Sequence, residues 1–206
     1  MALATIVVGC DLSEGSDQAL ARAIGEAVAA LGPVDVLVNN AGTAETVPFH
    51  RTDDAVFDRM LAVHLMAPVH AVRAVLPSML ERGHGRVVNI ASVAGLSGGP
   101  YITAYVSAKH AMVGFTRALA AEYRDKGVLF NAVCPGYTDT DMVSGAVTKV
   151  VAKTGIAAEA AVERILKDSG QHRLATVDEV AEATVAFSLP SCTVSGETQL
   201  VMGGGA

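Results

Sequence analysis

A phenol and an ammonium stand four residues apart in Tyr105-Val-Ser-Ala-Lys109. On a helix, positions i and i+4 share a face, which would make the two groups neighbours. A free tyrosine ionises near pH 10, too high for ready proton exchange at neutrality. A cation alongside favours the phenolate, each tenfold gain in acidity requiring about 1.4 kcal/mol. The spacing thus predicts a tyrosine drawn toward neutrality, able to give a proton to a carbonyl oxygen or take one from an alcohol. Taken alone, the same spacing more often describes an ordinary pair on a helix surface. Ser92 precedes it, just past the strand-like run 86–90 (RVVNI), at the sheet edge where open α/β folds bind ligands. A hydroxyl there can hold the oxygen that the tyrosine protonates, although a capping serine would read alike. Asn39-Asn40-Ala41-Gly42 closes another strand-like run, and its small residues let a flat ligand approach the backbone; a tight turn has the same composition.

The elements that must position these groups alternate along the chain. Residues 5–10 and 34–38 read as strands, and between them Leu20, Ile24, Val28 and Leu31 recur at helical spacing. Residues 52–82 read as one long helix with Phe57, Leu61, Leu65 and Val72 on a stripe, and 101–126 as a second. Strands follow at 86–90 and 128–134. Two amphipathic pieces come next, at 141–153 and 157–168, then a helix opened by the capping box of Thr176 and Glu179. A last strand is expected at 199–202. Strand–helix alternation with crossover-length helices predicts an α/β fold, a Rossmann-like doubly wound parallel sheet in a single domain over 1–206.

Composition agrees. The 206 residues are 51% hydrophobic and 17% charged, against roughly 25% charged in an average soluble domain. Such a chain suits strands buried on both faces. A formal charge of −6 without a Lys/Arg cluster argues against nucleic acid. Cys10, Cys134 and Cys192 are scattered, with no CxxC and no metal-ligand spacing, as expected of reduced cytoplasmic thiols. The longest run free of Asp, Glu, Lys and Arg, 87–108, is rich in Gly, Ser and Asn and reads as strand, loop and helix start rather than a membrane span.

LVNNAG, NIASVAG, YVSAK and NAVCPGYTDT, in this order, closely resemble the short-chain dehydrogenase/reductase family, from Asp11 to near the end of the chain. The resemblance implies an oxidoreductase exchanging a hydride between NAD or NADP and a carbonyl/hydroxyl pair. It implies Tyr105 as general acid/base, Lys109 as the residue that lowers its pKa and binds the nicotinamide ribose, and Ser92 as the group polarising the carbonyl. Asn40, Ala41 and Gly42 would line the cofactor groove. Pro135, Gly136, Thr138 and Thr140 would wrap the nicotinamide, and Asp11 and Leu12 would meet the adenine. The stretch 137–171 would form a lid over the substrate. AVCPGYTDTDM is similar to reductases and dehydrogenases of 3-oxoacyl and 3-hydroxyacyl thioesters, including polyketide ketoreductases; a generic secondary alcohol, a sugar alcohol or a steroid is the alternative substrate class. The long helices at 52–82 and 101–126 match those that commonly form a four-helix interface in a dimer or tetramer.

Two departures stand out. No G-x-x-x-G-x-G segment is present to hold a pyrophosphate at a helix N-terminus, for Gly9 and Gly15 do not supply it. The chain reads as opening near the family's third strand, without the first two strand–helix units, on the order of 50 residues. Two readings follow: a fragment or mis-assigned start, or a protein that does without tight dinucleotide binding, even a cofactor-free scaffold partnering other subunits. Second, His64 stands where the family usually places an asparagine that holds a water in a proton relay to the lysine. A neutral imidazole also bonds water, and an unperturbed pKa near 6.5 would let it join that relay; a packed helix histidine is the other reading.

Overall fold

The computed structural model describes residues 5–8 and 16–204. Five strands form one parallel sheet in chain order: β1 (Thr5–Val8), β2 (Val36–Asn39), β3 (Gly85–Ile90), β4 (Val128–Pro135) and β5 (Thr198–Val201). The register sets Val8 beside Asn39, Asn39 beside Asn89, and Pro135 beside Val201. Between them run α1 (Ser16–Leu31), α2 (Asp54–Leu61), α3 (Ala67–Arg82), α4 (Thr103–Tyr123), α5 (Asp141–Thr154), α6 (Ala158–Ser169) and α7 (Val177–Ser188).

Strand pleat assigns side chains to faces. Leu37, Val87, Val128 and Phe130 point to the side covered by α1, α3 and α4, where Ile24, Val72, Val75 and Met79 complete the core. Val36, Val38, Val88 and Val133 point the other way, under Ala183 and Phe187 of α7. Helices therefore cover both faces, as a doubly wound parallel sheet requires. Among the described strands the order never reverses.

The expected elements form, with shifted edges. β2 starts at Val36 rather than 34, because the Val34 carbonyl and the Asp35 carboxylate accept hydrogen bonds from Arg82 at the end of α3. Of the stripe foreseen on 52–82, Val72 is buried as expected, whereas Phe57, Leu61 and Leu65 are half-buried beside the buried Val56, Met60, Val63, Ala67, Ala71, Val75 and Met79. The helical pairing also changes midway. Pro68 lacks the N–H that would bond the His64 carbonyl, and its ring crowds that carbonyl. The turn Ala62–Met66 opens to π-helical pairing, with the Ala67 N–H donating to the Ala62 carbonyl. This rotates the two halves relative to each other and turns His64 wholly inward.

The run Asp54–Arg82 is long and apolar enough to cross a membrane by length and composition. Its buried side chains are nonetheless those packed on β2, β3 and α4, the arrangement of a core helix. In α1, Leu20 and Ile24 are buried, but Val28 and Leu31 are exposed. The capping box at α7 forms as read: the Thr176 hydroxyl accepts from the Glu179 N–H and the Glu179 carboxylate from the Thr176 N–H.

Candidate active site

Three segments converge at the carboxyl edge of the sheet. β3 ends at Ile90, and Ser92 caps the short 3-10 turn that follows, its hydroxyl accepting from the Ala94 N–H at 3.1 Å. That hydroxyl also donates to the Pro135 carbonyl at the end of β4 (3.4 Å). α4 supplies Tyr105 and Lys109 from its first two turns. Before it, Tyr101 is held at φ 66°, its carbonyl accepting from the Val47 N–H at 2.7 Å, which ties the loop after β2 to the helix start.

The i, i+4 pair points the same way, as the helix period demands. The Lys109 Nζ sits 5.8 Å from the centre of the Tyr105 ring and donates to the Ile90 carbonyl at 2.8 Å. The Ser92 hydroxyl is near enough to the Tyr105 phenol to draw its pKa down. His64 meets the Tyr105 ring edge-on, with centroids 5.3 Å apart and planes at 88°.

A buried polar chain braces this edge from beneath. Asn39 Nδ2 donates to Asn89 Oδ1 (2.7 Å), Asn89 Nδ2 to the Thr116 hydroxyl (2.8 Å), and that hydroxyl to the Met112 carbonyl (2.8 Å). It links β2, β3 and α4 one layer below the converging side chains. Asn89 and Thr116 went unrecognised in the sequence. The available signal was an asparagine inside the apolar run RVVNI.

Burial reverses the electrostatics expected of the pair. Desolvation raises the Tyr105 pKa above its ordinary value; the Ser92 hydrogen bond opposes this, while Tyr137 and Cys134 add to it. Lys109, 4% exposed, is itself driven down to about 7 by burial, with Cys134 pulling slightly upward. Desolvation thus outweighs the neighbouring lysine in this arrangement, with the ammonium donating to the Ile90 carbonyl and standing 5.8 Å from the ring centre.

Burial governs His64 as well. Burial first, then the Lys109 charge, lower its pKa to about 3, opposed by its bond to the Thr43 carbonyl. Because a carbonyl can only accept, Nε2 carries the proton across that 2.8 Å contact. Nδ1 is left buried without a partner. These effects hold the ring neutral through the physiological range.

The remaining residues fall into three groups. Asn40 and Gly42 are exposed and Ala41 half-buried at the end of β2. A Cβ on Gly42 would sit 3.2 Å from His64 Cε1, so the turn rests directly on the imidazole. Pro135, Gly136 and Thr138 form the loop after β4; the Thr138 hydroxyl donates to the Gly136 carbonyl, and that of Thr140, exposed at the start of α5, to the Thr138 carbonyl. Asp11 and Leu12 lie outside the described residues. Among the described residues no group of acidic, His and Cys side chains could hold a metal.

The profile of the short chain dehydrogenase family matches residues 2–151. The chain is 34% identical over 175 residues to a D-beta-hydroxybutyrate dehydrogenase of Rhizobium meliloti, covering 84% of this chain and 68% of that protein. It is 49% identical over 113 residues to Nodulation protein G of Azospirillum brasilense, covering 55% of this chain but 46% of that one. A crystal structure of an actinorhodin polyketide ketoreductase variant with NADPH superposes with a TM-score of 0.87 at 33% identity, over 95% of this chain and 75% of that one. The chain thus spans only part of each of these relatives. Fold, ordered motifs and family profile agree: the chain belongs to the short-chain dehydrogenases, a family of nicotinamide-dependent oxidoreductases.

Proposed function

We propose that this chain interconverts a ketone and a secondary alcohol with NAD or NADP. The substrate class would be a 3-oxoacyl/3-hydroxyacyl thioester or related polyketide carbonyl. The observation that carries the reading is the meeting of the Ser92 and Tyr105 hydroxyls at one sheet edge, with a buried ammonium on the same helix face. Ser92 holds the substrate oxygen. Tyr105, a phenol already neutral at physiological pH and held more firmly so by burial, is in the form that donates a proton as that oxygen gains negative charge.

The residues present fit the nicotinamide-ribose half of the cofactor. The Lys109 ammonium makes one hydrogen bond among the described residues, leaving two donors for a sugar diol, beside the open Asn40–Ala41–Gly42 turn and the loop carrying Pro135, Gly136, Thr138 and Thr140. A bound nicotinamide supplies or accepts the hydride. Nothing among the described residues cradles the pyrophosphate.

The thioester class rests on the resemblance of the AVCPGYTDTDM segment and on the similarity to a polyketide ketoreductase. The similarity to a D-beta-hydroxybutyrate dehydrogenase supports only the 3-oxo/3-hydroxy pattern. Residues 137–171 act as the lid; among the described side chains of α5 and α6 only Val143 and Ala161 are buried, so the pair is lightly anchored. A cytoplasmic homo-oligomer, dimer or tetramer, completes the proposal.

The competing reading is a catalytically impaired or cofactor-free scaffold or fragment acting as an oligomer partner. Fluorescence titration with NADH and NADPH separates the two. Saturable binding, followed by NAD(P)H-dependent reduction of a 3-oxoacyl thioester, is the expected result. No binding at millimolar cofactor would leave the scaffold.

His64→Asn supplies a second check. With the imidazole titrating near 3, the variant's pH–rate profile should keep its wild-type shape from about pH 5 to 8. A wild-type limb near pH 6.5 that vanishes in the variant would show His64 in proton transfer after all.

A further inference from the structure

We infer that Gln171 is a positioning residue that sets the loop after β4, and with it Tyr137, against Ser92 and Tyr105. The inference rests on the oxidoreductase reading and extends it to a residue outside the four motifs.

Gln171 follows Gly170, which ends α6 in the left-handed conformation (φ 72°), and its own N–H still donates to the Leu166 carbonyl. It is 5% exposed, a polar side chain turned into the protein at the exit of the lid. Its amide engages Tyr137 as a neighbouring strand would. The Tyr137 N–H donates to Oε1 at 2.7 Å, and Nε2 donates to the Tyr137 carbonyl at 3.0 Å. Oε1 also accepts from the Ser169 hydroxyl (3.2 Å), and Nε2 donates to the Arg173 carbonyl (3.3 Å). Both amide hydrogens and both faces of the oxygen are therefore used, which fixes the orientation of the group.

The loop has been shaped to receive this side chain. A Cβ on Gly136 would stand 2.5 Å from Oε1 and 2.8 Å from Cδ, so only glycine lets the amide come this close. Ala175 adds a second tie, its N–H donating to the Tyr137 carbonyl and its carbonyl accepting from the Asp139 N–H, both at 2.9 Å. The other side of the loop faces the chemistry. The Pro135 carbonyl accepts from Ser92, and Tyr137 lies close enough to Tyr105 to push its ionisation. Ser92, Tyr105 and Lys109 hang from β3 and α4, which Gln171 does not touch. Releasing the amide should therefore loosen the substrate side of the pocket and leave the proton-transfer groups in place.

The experiment uses Gln171→Met, which keeps length and burial but removes all four bonds, and Gln171→Glu, which keeps the acceptor. Steady-state kinetics on the wild-type substrate should show KM rising roughly tenfold in the methionine variant, with kcat within about threefold of wild type. The introduced carboxyl can replace the amide only when protonated. Its KM should approach wild type at low pH and rise as the carboxyl ionises against the Tyr137 and Arg173 carbonyls, a dependence wild type lacks. Amide hydrogen exchange gives a readout independent of turnover: the Tyr137 N–H should exchange at least about tenfold faster in the methionine variant, with β3 and α4 unchanged. Unaltered KM in an active enzyme, or unaltered Tyr137 exchange in any folded variant, would overturn the inference. A wild-type chain that turns over no carbonyl while Gln171→Met frees the Tyr137 amide would overturn the oxidoreductase reading and keep the clamp.

Discussion

Tyr105→Phe is expected to lower turnover by roughly 10²–10⁴-fold, the range over which a positioned acid or base acts, while leaving cofactor affinity within a factor of two. The ring is what holds the side chain in place. It packs with the apolar cluster of Met60, Ala104 and Ala108 and meets the His64 edge, and phenylalanine preserves both contacts. Only the hydroxyl goes, with its polar interaction toward Ser92. A neutral hydrogen bond is worth about 1 kcal/mol, so the fold should survive with little change in Tm. The measurement is kcat at saturating NADPH and carbonyl substrate, beside a fluorescence Kd for cofactor. A variant that keeps more than a tenth of wild-type kcat would remove Tyr105 from proton transfer. Ser92→Ala provides the comparison. It spares the phenol but loses the group that holds the oxygen, so kcat should fall and KM should rise together.

That tyrosine, its lysine and the serine upstream were legible because their geometry is local. The helix period puts Tyr105 and Lys109 on one face, and the end of an apolar strand puts Ser92 at its mouth. The direction in which the Tyr105 pKa moves was not legible, for spacing gives proximity and says nothing of burial. Lys109 is 4% exposed because Ile90 and the end of β4 close over it, a tertiary fact that turns an attractive pair into two desolvated groups. The stripe on 52–82 was legible only in part. Val72 is buried as expected, but Phe57 and Leu61 are half-buried, each one position past the buried Val56 and Met60. The wide turn at Ala62–Met66 then carries His64 into the interior. Gln171 was hidden most completely. Between two helices a glutamine looks like a solvated linker residue, and only the fold brings the Tyr137 backbone, 34 residues earlier, against its amide.

Replacing Lys109 by methionine should make the protein more stable while abolishing its activity. A lysine held at about 7 in the folded chain against 10.5 as its ordinary value carries a folding penalty on the order of 5 kcal/mol wherever both states are protonated. Methionine is apolar and of similar length, so it removes that penalty without opening a large void. It also loses the bond to the Ile90 carbonyl, and stranding a buried acceptor costs about 1–3 kcal/mol. The net gain at pH 6–7 should be about 2–4 kcal/mol, read as a higher urea midpoint. The pH dependence fixes the cause. Between about pH 7 and 10.5 the unfolded wild-type chain binds more protons than the folded one, so wild-type stability rises with pH across that window. The methionine variant has no such group. Its advantage should shrink as pH climbs from 7 and reverse above about 10.5, where lysine is neutral in both states and keeps its hydrogen bond. Parallel stability curves from pH 6 to 10.5, or a variant less stable at pH 6, would show that Lys109 is not buried as a costly cation. Crossing curves in an inactive variant would show stability being surrendered at this position to keep an ammonium beside the phenol.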